Sequence, residues 1–118
     1  MTNWNDTQPI FVQIRQQLIE MVLKGTIPEG EALPSVRQIA TDLSVNPLTV
    51  TKAYSSLVDL GVVEKRRGLG MFVAQDARQR LLDHERTKFL ATEWPRIKAQ
   101  IDALELGPED LFENGDDT

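Results

Sequence analysis

Residues 33–60 read LPSVRQIATDL, SVN and PLTVTKAYSSLVDL, two helix-like runs that are separated by three residues. In each run the apolar residues recur every three or four positions, a spacing that predicts an amphipathic helix with one buried face. The connection between the runs leaves room only for a tight turn, so the two helices must lie against each other. The stretch therefore predicts a helix-turn-helix.

Both helices carry local start signals. Ser35 can accept a hydrogen bond from the Gln38 backbone while the Gln38 side chain bonds back to Ser35, which predicts a capping box. Asn46 is predicted to cap the second helix. Pro47 fits the first helical position, because a backbone N–H at that position would have no acceptor within the helix and proline lacks one. The predicted buried faces comprise Val36, Ile39, Ala40 and Leu43 in the first helix and Val50, Ala53, Tyr54 and Leu57 in the second.

The outward face of the second helix carries short side chains and one cation. At about 100° per residue, Leu48, Lys52 and Ser55 lie opposite the buried face, and Thr49 and Thr51 lie on its flanks. Short side chains near a helix start allow the backbone to approach base edges in the major groove of DNA. An exposed leucine fits a thymine methyl in that groove; the alternative is one of the scattered exposed apolar residues that every protein has.

A basic hairpin is predicted after the second helix. Gly61 fits the left-handed residue that ends the helix. Two strand-like runs, 62–65 and 71–73, flank the sequence RRGLG at 66–70, whose glycines permit the positive φ of a tight hairpin. The densest cationic cluster of the chain lies here, at Lys65, Arg66 and Arg67. Such a cluster is either a solvated turn or a wing that meets phosphate or the minor groove, and its place after a helix-turn-helix favours the wing.

These residues resemble the N-terminal domain of the GntR family of bacterial transcription regulators, over roughly residues 9–75. The resemblance rests on Leu33-Pro34-Ser35, Arg37, Ala40, Leu43, Val45, Thr49-Val50, Ala53-Tyr54, Leu57, Gly61, Arg67-Gly68, Gly70 and Phe72-Val73. In that family the arginine after the Pro-Ser pair, the start of the recognition helix and the wing tip contact DNA. Many relatives carry Ser-Arg-Thr-Thr-Val or similar at the start of the recognition helix, where this chain has Asn46-Pro47-Leu48-Thr49-Val50 and lacks the arginine. This departure bears on the operator sequence and not on DNA binding.

The predicted interface with double-stranded DNA combines this resemblance with the outward-face argument. Its residues are Ser35, Arg37, Asn46, Leu48, Thr49, Thr51, Lys52, Arg66, Arg67 and Gly68. The net charge of −5 runs against a DNA-binding role unless the acidity is local. Residues 1–75 hold seven cationic and seven acidic side chains, and residues 76–118 hold six and eleven, so the acidity belongs to the tail. So few cations predict weak, salt-sensitive binding by a monomer, which argues for a dimer.

The segment before residue 33 predicts one more helix and a loop. Thr7 is its predicted cap, Pro9 lies in its first turn, and it ends near Lys24 and Gly25. Its inner face is predicted to comprise Phe11, Ile14, Leu18, Met21 and Val22. The family resemblance implies a short strand near Ala32 that pairs with the wing.

The tail from Asp76 onward is predicted to be helical. Pro95 should kink or split this helix near Glu93, Gly107 should end it, and Leu111 with Phe112 should pack back. Apolar residues form one stripe, at Leu82, Phe89, Leu90, Trp94, Ile97, Ile101 and Leu104. About 40 residues cannot bury such a stripe alone, so it predicts a dimer interface, with docking on its own domain as the alternative. A short helical tail resembles the YtrA-like GntR subfamily, which implies dimerisation and, typically, repression of transporter operons.

Several function classes are excluded by what the chain lacks. It has no cysteine, no apolar run of about 18 residues and no signal-peptide pattern at residues 1–6, so a cytoplasmic protein that spans no membrane is expected. Its one histidine, His84, lies among charged residues and is expected to be solvated. No catalytic triad, phosphate loop or metal cage is indicated. The sequence therefore predicts no enzyme, cofactor or metal. A small-molecule effector is left open, since no convergent polar pocket is evident in the tail.

The predicted fold class is mainly α with a small β-hairpin. We expect a winged helix-turn-helix DNA-binding domain at residues 1–75 and a helical dimerisation tail at residues 76–118. The predicted function is sequence-specific transcription regulation, by a homodimeric repressor that binds an inverted-repeat operator. The alternative is a winged-helix module that binds a protein and has no affinity for DNA.

Overall fold

A computed structural model describes residues 4–112 and contains helices with a single hairpin. The elements in chain order are α1 (Ile10–Leu23), α2 (Val36–Leu43), α3 (Pro47–Asp59), β1 (Val63–Arg66), β2 (Gly70–Val73), α4 (Ala77–Lys88), a π-helical segment (Phe89–Glu93), α5 (Trp94–Ala103) and α6 (Pro108–Phe112). The mainly helical fold class with one antiparallel hairpin is confirmed. The chain divides into two compact units between Leu82 and Asp83.

The first unit is built around α3. The buried face of this helix packs on α1 and α2, and the hairpin packs behind its C-terminal end. The fully buried side chains of the unit, each less than 2% exposed, include Val50, Tyr54, Leu57, Val62, Val73 and Leu81. All four residues that the sequence predicts for the inner face of α3 are buried. Helix α3 is therefore held on three sides, and its outward face is exposed to solvent.

The N-terminal cap of α1 differs from the prediction. The helix begins at Ile10 after Pro9, and no side chain caps it. Thr7 is not the cap, because both its backbone N–H and its hydroxyl bond to the Asn5 side chain, at 2.9 and 2.7 Å. The side-chain oxygen of Asn5 accepts from both donors of Thr7, and this Asx-type turn forms in place of the predicted cap.

The turn between α2 and α3 follows the predicted signals, with one exception. The Ser35 hydroxyl accepts from the backbone N–H of Gln38 at 3.0 Å, as expected of a cap. The Gln38 side chain does not return to Ser35; it donates to both carboxylate oxygens of Asp42, one helical turn further on, at 3.2 Å. Only half of the predicted capping box forms, because an ionised acceptor at i+4 is the stronger partner. Ser44 ends α2 in the left-handed region, at φ 57°.

The two strands of the hairpin pair as the sequence predicts, and a third segment pairs with the hairpin through one bridge. Val63 lies opposite Val73, and Arg66 lies opposite Gly70. Gly61, at φ 79°, ends α3 and turns the chain toward β1. An isolated bridge joins Ala32 to Phe72, where the family resemblance implied a short strand. The segment before α2 therefore braces the outer strand of the hairpin.

In the second unit, Pro95 interrupts the helix at the predicted place. The backbone N–H of Trp94 donates to the carbonyl oxygen of Phe89, five residues back, and α5 begins directly after Glu93. Proline has no N–H for an α-helical bond and its ring displaces the carbonyl one turn earlier, which the wider π turn accommodates.

Two predictions about the end of the tail are wrong. Gly107 does not end α5; the helix ends at Ala103, and Glu105 takes the left-handed position at φ 57°. Gly107 instead donates its N–H to the Asp110 carboxylate and starts α6. Leu111 and Phe112 do not pack back, since their side chains are 41% and 75% exposed. A five-residue helix has too little surface to bury both its own apolar side chains and those of α5.

Candidate nucleic-acid interface

The outward face of α3 is exposed as the helical spacing predicts. Leu48 is 76% exposed, and Thr51, Lys52 and Ser55 are also exposed, whereas Thr49 is half-buried. The first turn of the helix contains no acidic residue that would repel phosphate. This face combines hydroxyls, one cation and one apolar side chain, a set that can donate to, accept from and contact base edges in a major groove.

Asn46 fixes the start of this face. Its side-chain oxygen accepts from the backbone N–H of Leu48 at 2.8 Å, and Pro47 follows it as the first helical residue. The cap satisfies one of the free N–H groups of the first turn and orients the backbone that carries Leu48. The Asn46 amide nitrogen has no intramolecular partner within residues 4–112, so it remains available as a donor.

Tyr54 joins the recognition helix to the start of α2. Its ring is fully buried, and its hydroxyl donates to the carbonyl oxygen of Pro34. Burial raises the pKa of Tyr54 to about 12, because the phenolate would lose its hydration inside the core. The hydroxyl therefore stays protonated at neutral pH and keeps donating, which holds the two helices of the motif together.

Ser35 and Arg37 lie at the start of α2. The Ser35 hydroxyl is used as the helix cap, although its proton remains free to donate. Arg37 is exposed, and no ion pair engages it in the part of the chain that the structure describes. Its guanidinium is therefore free to meet an external anion such as phosphate.

Lys52 has a partner that sequence reasoning missed. Its Nζ lies 4.3 Å from the centre of the Phe11 ring on α1, within the range of a cation–π interaction. The ring holds the ammonium group at the junction of α1 and α3 while leaving it exposed to solvent. Residues 11 and 52 are far apart in sequence, so no local pattern indicates this contact.

The two wing arginines behave differently, which the sequence also did not show. Arg66 pairs with Glu64 at 2.9 Å and stacks on the ring of Phe72 at 4.2 Å. Its guanidinium is thus engaged by two neighbours within the wing. Arg67 is exposed at the tip, next to Gly68 at φ 77°, and no described residue pairs with it. Of these two arginines, Arg67 is the better placed to contact phosphate or the minor groove.

The residues of the predicted dimer interface are largely exposed in the single chain. In the second unit Phe89, Leu90, Trp94 and Leu104 are 43%, 60%, 38% and 62% exposed. Ile97 and Ile101 are half-buried within that unit, and Leu82, in the first unit, is half-buried. The tail therefore presents apolar surface of the kind that marks protein interfaces.

Other chemistry receives no support from the described residues. No group of three or more metal-binding side chains comes together between residues 4 and 112. None of the helices in that range has the length and apolar character needed to cross a membrane. His84 is exposed and contacts only the neighbouring Glu85, at 3.2 Å.

The comparisons with known proteins agree with this geometry. The model of the family "Bacterial regulatory proteins, gntR family" matches residues 11–73. The chain is 43% identical over 79 residues to the HTH-type transcriptional repressor YtrA of Bacillus subtilis; the match covers 67% of this chain and 61% of YtrA, less than two thirds of its length. It is 33% identical over 110 residues to the regulator YhcF of the same organism, covering 93% and 89% of the two chains.

A solved structure extends the likeness to the fold. The GntR family transcriptional regulator from Listeria monocytogenes superimposes with a TM-score of 0.78 at 26% identity, over 93% of this chain and 95% of that one. The YtrA-like resemblance noted from the sequence is confirmed by the match to the repressor YtrA. The chain belongs to the gntR family of bacterial regulatory proteins, and as such it is a DNA-binding transcriptional regulator and not an enzyme.

Proposed function

We propose that the protein is a homodimeric repressor that binds an inverted-repeat operator. The observation that carries this proposal is the outward face of α3, which is held on a packed scaffold and carries Leu48, Thr51 and Lys52 exposed to solvent. Repression, as the direction of regulation, is suggested by the relative YtrA, which is named a transcriptional repressor. A dimer doubles the number of cationic contacts, which offsets the low positive charge of a single winged helix.

The proposed DNA-contacting residues fall into two groups: those that read base edges and those that position the protein on the DNA. Leu48, Thr49 and Thr51 face base edges from the start of α3, and Asn46 adds a free amide donor there. Arg37 and Lys52 meet phosphate on either side of the groove, Ser35 supports the backbone near Arg37, and Arg67 with Gly68 reaches the flanking minor groove. Arg66 stays a predicted DNA contact, and in this proposal it also stiffens the wing through Glu64 and Phe72.

The tail supplies the dimer contact in this proposal. The exposed apolar side chains of the second unit have no partner within residues 4–112, and pairing with a second copy would bury them. A closed two-fold dimer presents the same face from both subunits, and it places two recognition helices at a fixed spacing. We accordingly assign residues 1–75 to DNA binding and residues 76–118 to dimerisation.

Two further parts of the proposal are the site of action and the kind of operon that is regulated. A cytoplasmic site of action follows from DNA as the target. Control of a transporter operon rests only on the resemblance to YtrA-like regulators. The proposal contains no effector.

The test is binding of the purified protein to DNA upstream of its own gene. We expect a mobility shift that survives non-specific competitor and weakens as salt rises, with a footprint covering two half-sites about one helical turn apart or a multiple of it. A footprint on a single half-site would contradict the dimer. If neither this DNA nor duplexes selected from a random-sequence library shift in the presence of competitor, the DNA-binding proposal fails and a protein partner becomes the better explanation.

A further inference from the structure

In the first unit, two leucines are far more exposed than any other large apolar side chain among residues 4–82. Leu48 is 76% exposed and Leu69 is 72% exposed, whereas Ile10 at the start of α1 reaches 39%. The remaining exposed large apolar side chains described all lie in the second unit. The two leucines occupy the start of the recognition helix and the tip of the wing. Leu48 already has a place in the proposed function, and Leu69 has none.

The wing tip holds Leu69 in a defined position. Its backbone N–H donates to the carbonyl oxygen of Arg66 at 2.8 Å, which closes the turn. Gly68 and Gly70, at φ 77° and 119°, supply the positive φ values on either side. The base of the turn is braced because Arg66 is held by Glu64 and by the Phe72 ring. The leucine side chain is therefore presented outward by a rigid turn and does not fold back on the hairpin.

The chemistry around Leu69 suits the minor groove. The neighbouring Arg67 has no intramolecular ion pair among the described residues and can take the phosphate beside the groove. Apolar side chains, leucine among them, pack on sugars and base edges in the minor groove or wedge between base steps. Burial of the Leu69 side chain in the groove removes from water the apolar surface that the free protein exposes, which favours binding.

We infer that Leu69 is a specificity-determining residue that packs into the minor groove at the flank of each half-site and favours A·T pairs there. This inference rests on the proposed DNA-binding function. A G·C pair places the guanine 2-amino group on the groove floor, and a leucine methyl against it would leave that donor without a hydrogen-bond partner. An A·T pair presents no such group, so it accepts the apolar side chain without this penalty.

The experiment uses the full chain and a duplex that the wild type selects from a random-sequence library. Flanking A·T pairs under the wing are replaced by inosine·C, which resembles A·T in the minor groove and G·C in the major groove, or by G·C. We expect the wild type to bind the A·T and inosine·C duplexes equally and the G·C duplex about tenfold more weakly. Leu69→Ala should bind the A·T duplex several-fold more weakly and lose most of the discrimination against G·C.

The matched controls separate this role from others. Leu69→Ala should keep the wild-type dependence of affinity on salt, because it removes no charge, whereas Arg67→Ala should flatten it. Ile10→Ala, a change at the third exposed large apolar side chain among residues 4–82, should leave binding unchanged. The thermal midpoint of Leu69→Ala should equal that of the wild type, since the side chain buries little in the free protein.

Three results would overturn the inference. Equal binding of all duplexes by wild type and Leu69→Ala would show that the leucine touches nothing. A penalty for G·C that is the same in both proteins would assign the discrimination to another residue. Selection of no duplex at all by the wild type would overturn the proposed function, and this inference with it.

Discussion

The hydroxyl of Tyr54, in the middle of α3, donates a hydrogen bond to the carbonyl oxygen of Pro34, the residue before the cap of α2. The two residues are 20 positions apart, and their contact ties the recognition helix to the start of the helix that carries Arg37. The orientation of two predicted DNA-contacting segments therefore depends on one buried side chain.

Removal of this hydroxyl should weaken the fold without opening a cavity. Tyr54→Phe keeps the ring, so the expected loss is that of one hydrogen bond and a carbonyl left without its partner, about 1 kcal/mol in the free energy of unfolding. Urea denaturation measures the change. Ser55→Ala, at the exposed neighbouring position, is the control and should leave the urea midpoint unchanged. A Tyr54→Phe midpoint equal to that of the wild type would mean that the bond contributes nothing.

The same residue predicts a loss of stability at alkaline pH. The pKa of Tyr54 is about 12 in the folded protein, against 10.0 when unperturbed, because burial disfavours the phenolate. The contribution of Tyr54 to stability is thus fully present below pH 10.0 and is lost as pH rises through about 12. The stability advantage of the wild type over Tyr54→Phe should shrink and then reverse across that window, because the phenylalanine variant has no hydroxyl to ionise in the unfolded state. Denaturation at several pH values measures this change. Since Tyr54 is the only tyrosine in the chain, an absorbance titration reports its ionisation directly.

Alanine substitutions of Arg66 and of Arg67 should differ in their effects on DNA binding and on stability. Arg67→Ala is expected to lower DNA affinity on all sequences and to reduce the slope of log affinity against log salt by about 1, with the stability unchanged. Arg66→Ala should leave most of that slope in place and cost up to about 1 kcal/mol of stability, because it removes an exposed ion pair and a ring contact. Mobility shifts over a salt series and urea denaturation check both. Equal changes in slope would show that the structural division between them is wrong.

Glu29 should be required for an intact start of α4. Its carboxylate oxygens accept from the backbone N–H groups of Asp76 and Arg78, at 3.0 and 3.3 Å, and so cap α4 from a distant loop. Glu29→Ala should destabilise the first unit by about 1 kcal/mol, the usual cost of a lost cap, and speed hydrogen exchange in the first turn of α4. Glu31→Ala, two residues along the same loop, is the matched control and should do neither.

The proposed dimer should depend on the apolar face of the tail. A charge at a half-buried position of that face, in Ile97→Asp or Ile101→Asp, should convert a dimer to a monomer because an unpaired carboxylate cannot be buried in the interface. Gln100→Asp introduces the same charge at an exposed position of α5 and should remain a dimer. Sedimentation at micromolar concentration distinguishes the two states. A monomeric wild type would refute the proposed interface.

The features that the sequence predicted correctly are local ones. Asn46 with Pro47, Gly61 and Pro95 each act on their own turn of the backbone, so the neighbouring residues suffice to predict them. The wrong predictions at Thr7, Gln38 and Gly107 are also local, but in each case a nearby side chain or backbone position offered a better partner than the expected one. The wrong prediction for Leu111 and Phe112 concerned packing against the rest of the chain, which local sequence does not determine.

The contacts that the sequence did not predict are between distant residues. Phe11 meets Lys52 across two helices, and Glu29 caps a helix 47 residues later. No period or motif encodes such pairs, since they exist only after the chain has packed. They matter for the candidate interface because they decide which cations are held in place and which stay free.

The π-helical segment Phe89–Glu93 amounts to an insertion of one residue into an otherwise α-helical path. The apolar repeat of the tail changes phase at the same place: Leu82 and Phe89 are seven residues apart, and the series from Leu90 to Leu104 runs one residue out of step with them. Deleting one residue here would restore the phase but force the Pro95 ring into the preceding turn, and replacing Pro95 alone would leave the extra residue in place. We therefore expect relatives that lack the extra residue to lack the proline as well, and relatives that lack the proline to lack the extra residue.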